Sequence, residues 1–161
     1  MQINILGLQR IFVRRRTLIR GAIAIGKHYA DANLVYSEAV VRAYRLERDR
    51  ARFPRVLIDS QLLDWYVHDT GCAELKSQVT PALLKDRDEE VFLHYLGAEL
   101  LEDHGKLIGS YEPGKVSASV LEKIQWLAAY HNHVATTLGN GNVIDGPLVA
   151  GFQPLAVQGE N

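Results

Sequence analysis

The 161-residue chain predicts an α+β fold, with an antiparallel sheet packed by helices and a long C-terminal helix. Three observations carry that prediction. Short apolar runs of strand length alternate with stretches of helical periodicity. Two of the runs, Ala82-Leu83-Leu84 and Val91-Phe92-Leu93, flank an acidic cluster as the arms of a hairpin would. Near the end, Val120, Leu121, Ile124, Leu127 and Ala128, with His131 in line, hold one helical stripe until Gly139 and Gly141 break it.

The elements follow in order. Ile3, Leu6, Leu8, Ile11 and Phe12 predict a helix over 3–14. Leu18, Ile19, Ala22, Ile23, Ala24 and Ile25 predict a strand over 17–26, interrupted by Gly21 and closed by Gly26, where the backbone must pass close to something bulky. A polar loop leads to Ser37, an N-cap for a helix over 38–52. Val40, Ala43, Tyr44, Glu47 and Ala51 recur there at helical spacing until Pro54 forbids continuation. A strand over 55–59, a helix over 60–68 and strands over 82–86 and 90–96 come next, with Asp86, Asp88, Glu89 and Glu90 as the hairpin turn. Leu100, Leu101, His104 and Leu107 predict a helix over 98–109, and Pro113-Gly114 separates it from the last helix, over 117–137. The segment after Gly139 has no clear period and reads as a loose or partner-dependent tail.

Composition bounds the function classes. No apolar run approaches the ~20 residues that span a bilayer, and Arg10, Arg14, Arg15 and Arg16 follow the first apolar residues rather than preceding them, unlike a secretory signal. A cytoplasmic protein with no membrane partner is expected. The single cysteine, Cys72, excludes an intramolecular disulfide and a cysteine-rich zinc site, and reads as a small buried apolar residue. The net charge of −1 hides an asymmetry: residues 1–55 carry twelve Lys and Arg against four Asp and Glu, an excess of eight positive charges, so the remainder carries an excess of nine negative ones. Such a basic segment suits a phosphate-bearing ligand or an acidic partner surface, or is simply a set of solvated helix faces with Glu38–Arg42 and Arg45–Asp49 paired at i,i+4. Arg42, Arg45, Asp49 and Arg52 lie along one side of the helix. Nucleic acid is disfavoured, because the aromatic residues among these arginines are few and the acidic remainder would repel a duplex.

Two apparent motifs are decoys. Gly109 to Lys115 has the spacing of a phosphate loop, but Val116 stands where a magnesium-binding hydroxyl is required, and the residues before it read as helix rather than strand. The six histidines show no metal-binding spacing; His131 and His133 point in different directions on a helix, and the others are scattered singly.

Four segments, in order, resemble motifs of class III nucleotide cyclase catalytic domains, in the bacterial branch that includes the pyrimidine cyclases of anti-phage signalling. Arg20-Gly21-Ala22-Ile23 to Gly26 resembles the R-G-G-I strand. Ser37 through Glu47, with Arg45-Leu46-Glu47, resembles the helix carrying V-N-x-A-x-R-L-E. Val91 to Leu96 resembles the late strand, and Glu122 to Asn132, with Trp126-Leu127-Ala128 and Tyr130-His131-Asn132, resembles the terminal helix signature. The likeness spans residues 3 to about 137 by motif order. It implies a ferredoxin-like cyclase half-domain over 1–138 with a flexible tail over 139–161, and conversion of a nucleoside triphosphate to a cyclic monophosphate and pyrophosphate.

The resemblance also implies roles. Arg45 matches the arginine that steadies charge on the phosphate, while Leu34, Tyr36, Ser37 and Val41 fall at substrate-binding positions. Val41 replaces the family's ribose-orienting asparagine, Ser37 replaces a loop glycine, and Leu34 cannot read a base by hydrogen bonding, so base identity stays open. Mg²⁺ or Mn²⁺ is the family's cofactor, held by two aspartates upstream of the R-G-G-I strand. The first acidic residue here is Asp31, so this chain offers no ligands for it. A chain inactive alone is therefore expected, partnered by a nucleoside triphosphate and by a second copy or a chain carrying the missing half-domain. The alternative is a non-catalytic, cyclase-like interaction module.

Overall fold

A computed structural model describes residues 4–68, 73–139, 141, 143–144 and 151–155; Ile3, Cys72 and most of the expected tail lie outside them. In chain order the elements are α1 (Ile5–Arg14), β1 (Gly21–Ile23), β2 (His28–Ala30), β3 (Val35–Ser37), α2 (Glu38–Arg50), β4 (Val56–Ile58) and α3 (Ser60–His68). There follow α4 (Ala73–Val79), β5 (Leu83–Lys85), β6 (Val91–Leu93), α5 (Leu101–Gly109), α6 (Ala118–Thr137) and β7 (Gln153–Pro154). The fold is mixed α and β, with a five-stranded sheet, helices packed on it and a long C-terminal helix. The chain divides into two compact units, Met1–Ile19 with His94–Phe152 and Arg20–Leu93 with Gln153–Asn161.

The sheet belongs to the second unit and has the order β1-β4-β6-β5-β7. β5 and β6 form the expected antiparallel hairpin, with Leu84 opposite Phe92, and β4 joins β6 antiparallel through Leu57 and Phe92. The sheet is mixed rather than wholly antiparallel. β1 runs parallel to β4, with Ala22 opposite Leu57, and α2 makes the crossover that a parallel pair requires while packing on both strands. Val56, Leu57, Leu84, Val91 and Phe92 are buried, which is why these runs are apolar at consecutive positions instead of alternating.

Several expectations are corrected in this unit. The strand over 17–26 contracts to three residues, because β4 offers only Val56–Ile58 as partners. Gly26 lies where a Cβ would come within 2.8 Å of the Ala39 nitrogen, so the bulky neighbour is the start of α2, and Glu38 N–H donates to the Lys27 carbonyl at 2.9 Å beside it. The loop before α2 is itself a second, two-stranded sheet, β2 against β3, with Tyr29 opposite Tyr36. Asp31 builds its turn by accepting the Asn33 and Leu34 N–H groups at 2.8 Å each. Val40 and Tyr44 do not face inward: they are 64% and 59% exposed, and the half-buried side of α2 is Arg42, Ala43, Leu46 and Glu47. α4 was not foreseen. The tail is not uniformly loose, since Gln153 and Pro154 pair with Lys85 and Leu84 at the sheet edge.

A buried ion cluster closes the β5–β6 turn. Arg55, wholly buried, pairs with Asp86 and Asp88, and its guanidinium lies 5.3 Å and 5.8 Å from the Phe53 and Phe92 ring centres. Arg50 holds Glu90 and Lys85 holds Glu89, so all four carboxylates of the predicted turn are neutralised.

In the first unit α5 packs against α1 and α6. Leu100, Leu101, Leu107, Trp126, Leu127, Tyr130 and Val134 are buried there. Each contributes roughly 1.5–3 kcal/mol of apolar transfer. Ser117 caps α6 by accepting from Val120 N–H at 3.4 Å, and Gly139 ends it at φ 63°, a conformation that favours glycine. The expected helix over 98–109 opens as a 3-10 turn, Ala98–Leu100, before α5. Phe152 is buried against Trp126 and Tyr130, again inside the segment expected to be loose. Among the described residues, no helix is long and apolar enough to cross a membrane.

Candidate functional site

The residues singled out from sequence all lie on one structural unit, the β2–β3 hairpin and the helix it feeds. Leu34 sits in the hairpin turn and Tyr36 on β3, both exposed. Ser37 is buried and caps α2, its Oγ accepting from Val40 N–H at 3.3 Å, so its hydroxyl serves the helix. Val41 and Arg45 follow at i,i+4 spacing from that cap, which puts Ser37, Val41 and Arg45 along one stripe. Val41 and Arg45 are exposed.

The arginines of this unit differ in what they hold. Arg42 turns to Asp59 at 2.6 Å, both groups largely buried, instead of pairing with Glu38. It therefore does not share the outer side of the helix with Arg45. Arg48 makes two bonds to its neighbour Asp49, at 2.6 and 2.9 Å, taking the carboxylate expected for Arg45, and lies 5.6 Å from the Tyr44 ring centre. Asp49 is held below the usual carboxylate range, first by the Arg48 hydrogen bond. Arg20 holds Glu47 at 2.5 Å. Among the described residues Arg45 makes no hydrogen bond or ion pair.

Among the described residues no group of three His, Cys, Asp or Glu side chains could hold a metal ion. Asp59, which follows β4, is committed to Arg42 and to the Gln61 N–H at 3.2 Å. Lys115, the lysine of the false phosphate loop, pairs with Glu112 at 2.7 Å within a 3-10 turn.

The first unit holds a polar cluster that the sequence reading missed. Tyr95, His104 and His131 form a buried chain: Tyr95 Oη lies 3.3 Å from His104 Nε2, and His104 Nδ1 lies 3.2 Å from His131 Nδ1, with the two imidazoles parallel to within 3°. Burial drives the His104 pKa down to about 3, and the neighbouring His131 adds to the shift. Tyr130 Oη accepts from Leu96 N–H at 3.1 Å and meets His94 Nδ1 at 2.7 Å. His94 is lowered to about 4, chiefly by burial, then by His133 and Arg10. Burial raises the Tyr95 and Tyr130 phenols above their ordinary range. Asn132 completes the set, donating to the Ile144 carbonyl at 3.0 Å and accepting its N–H at 2.9 Å. The histidines are thus not all scattered singly. The signal that could have paired them was present: His104 and His131 each stand within an apolar helical stripe.

Compared with protein-family models, with curated proteins and with solved structures, the chain matches none.

Proposed function

We propose that this chain is the arginine-bearing half of a class III cyclase-like nucleotide site, inactive alone, with Arg45 as the group that meets the triphosphate. The observation that carries this reading is that Arg45, exposed on α2, holds no carboxylate by a hydrogen bond and feels Asp49 only through its charge. Its neighbours Arg42 and Arg48 are spent on Asp59 and Asp49, while Arg45 stands exposed and unpaired one turn beyond Val41. An exposed guanidinium without a hydrogen-bonded carboxylate is suited to an anionic ligand, and its fork matches phosphate oxygens.

The test is titration of the chain with each of the four nucleoside triphosphates and with pyrophosphate, read by calorimetry, followed by a search for cyclic product with Mn²⁺ present. Binding that weakens at least tenfold in Arg45→Ala, without product, is the expected result. Absence of binding by all five ligands refutes the reading, and cyclic product from the chain alone refutes the claim of inactivity. A second reading, a non-catalytic interaction module, is favoured by Val41 and by the apolar exposure around it. It gains if no phosphate ligand binds while the chain associates tightly with a protein.

A further inference from the structure

We propose that the outer face of α1 docks on an anionic lipid bilayer, lying along one leaflet without crossing it. The inference stands apart from nucleotide binding and concerns the first unit alone. It revises the expectation of no membrane partner, which rested on the lack of a spanning segment and has no bearing on contact with one leaflet.

The first support is the placement of apolar side chains. Gln9 and Val13 form the buried side of α1, which packs against α5. At about 100° per residue, Ile5, Leu8, Ile11 and Phe12 fall within an arc of roughly 120° on another side of the helix. Ile5, Leu8 and Ile11 are 39%, 38% and 51% exposed and Phe12 is half-buried, so an apolar stripe stays in solvent where a merely solvated face would be polar.

The second support is charge of a single sign. Arg14, Arg15 and Arg16 are exposed at the C-terminal end of the stripe, Arg15 one turn beyond Ile11, and no Asp or Glu occurs before Asp31. Glu99, a carboxylate that meets α1, is held by Arg10 at 3.2 Å on the flank away from Leu8. Lys106, which feels the Arg16 charge, is tied to Glu102. Arginine stems are long enough to leave their heads among lipid phosphates while neighbouring aliphatic side chains enter the acyl boundary. A protein partner would call for Trp or Tyr anchors and hydrogen-bonding side chains among the apolar residues, and the stripe holds none.

The third support is the backbone. Arg16 closes α1 in the left-handed region at φ 54°, its N–H donating to the Val13 carbonyl at 2.8 Å and that of Thr17 to the Phe12 carbonyl at 2.9 Å. Folding alone favours glycine or asparagine at such a helix end. An arginine there carries a conformational cost that anion binding through a third adjacent cation would offset.

Flotation with unilamellar vesicles tests this, comparing phosphatidylcholine alone with phosphatidylcholine containing about 30% phosphatidylglycerol, at roughly 0.1 and 0.5 M NaCl. The expected result is binding about tenfold tighter to the anionic vesicles and about tenfold weaker at the higher salt. Arg14→Gln, Arg15→Gln and Arg16→Gln combined should weaken it about tenfold, as should Ile11→Asp alone, whereas the three corresponding lysine substitutions should retain it. All these positions are exposed, so circular dichroism should confirm an intact fold. Val40→Asp, at an exposed apolar residue of α2, should leave vesicle binding unchanged. No binding to anionic vesicles up to about 1 mM lipid overturns the proposal, as does equal binding to neutral and anionic vesicles. Binding that ignores Ile11→Asp overturns it too, since charge alone would then be at work and an acidic macromolecule would be the better occupant of this face.

Discussion

Lowering the pH from 7 to 5 should destabilise the first unit by about 3 kcal/mol through two histidines. His104 is wholly buried among Tyr95, His131 and Tyr130, and its pKa is driven to about 3 by that burial and by the neighbouring His131. His94 faces the Tyr130 hydroxyl, His133 and Arg10, and lies at about 4. Both values are depressed below the unfolded 6.5, so the stabilisation is fully present above pH 6.5 and is lost as pH falls toward the folded values. Between pH 7 and 5 the unfolded chain takes up about 0.7 proton at each site that the folded chain refuses, worth about 2 kcal/mol for a fully buried group. Discounting His94 for its partial exposure to about 1 kcal/mol gives the total. The assay is urea unfolding followed by Trp126, buried against Tyr130, in a Trp65→Phe background that removes the other tryptophan. In His104→Phe about two-thirds of the pH dependence should vanish. A stability that is flat or rising from pH 7 to 5, or a slope unchanged in His104→Phe, would refute the reasoning.

Three further outcomes follow from the same geometry. Arg42→Ala should cost about 1–3 kcal/mol in urea unfolding, since it strips a largely buried Asp59 of its partner, whereas Arg45→Ala should stay within about 0.5 kcal/mol. Arg55→Ala should cost about 3–5 kcal/mol or abolish folding, because Asp86 is left buried and charged; Asp86→Asn, which keeps some hydrogen bonding, should cost less, and equal losses would speak against the ion cluster. Asn132→Ala should speed hydrogen exchange at the Ile144 amide at least tenfold with α6 still protected, and unchanged exchange there would deny the clamp.

The elements most legible in the sequence were those whose determinants are local. The β5–β6 hairpin announced itself by two apolar runs around an acidic turn, α2 by Ser37 and Pro54, and α6 by its stripe and its terminal glycine. The β2–β3 ribbon was missed because its turn is made by the Asp31 carboxylate rather than by an Asn-Gly or Gly pair, and because no buried face imposes alternation on it. The parallel pairing of β1 with β4 is non-local, and nothing in either run names its partner. The arginine pairings failed for a related reason. The i,i+4 rule predicts Glu38 for Arg42, but a buried carboxylate on another element offers a less screened partner and wins. At the candidate site the sequence supplied the residue list, while the fact that separates Arg45 from its neighbours, its lack of a partner, needed the fold.

The motifs behind the cyclase resemblance fall into two physical kinds, and the difference weighs on how far each can argue for function. Tyr130, His131 and Asn132 are all buried, and each is committed within its own unit: to Leu96 and His94, to His104, and to Ile144. Any chain that builds this three-helix unit needs groups that satisfy those partners, so these residues argue for architecture and are silent on chemistry. Leu34, Tyr36, Val41 and Arg45 are the reverse case. They are exposed, and, apart from the Leu34 N–H in its turn, the fold asks little of their side chains. Selection for folding would sooner place small polar residues at three of these positions and would leave the fourth free to vary. The proposed anionic ligand at Arg45, with a protein surface over Val41 and Tyr36, would account for both halves of that pattern.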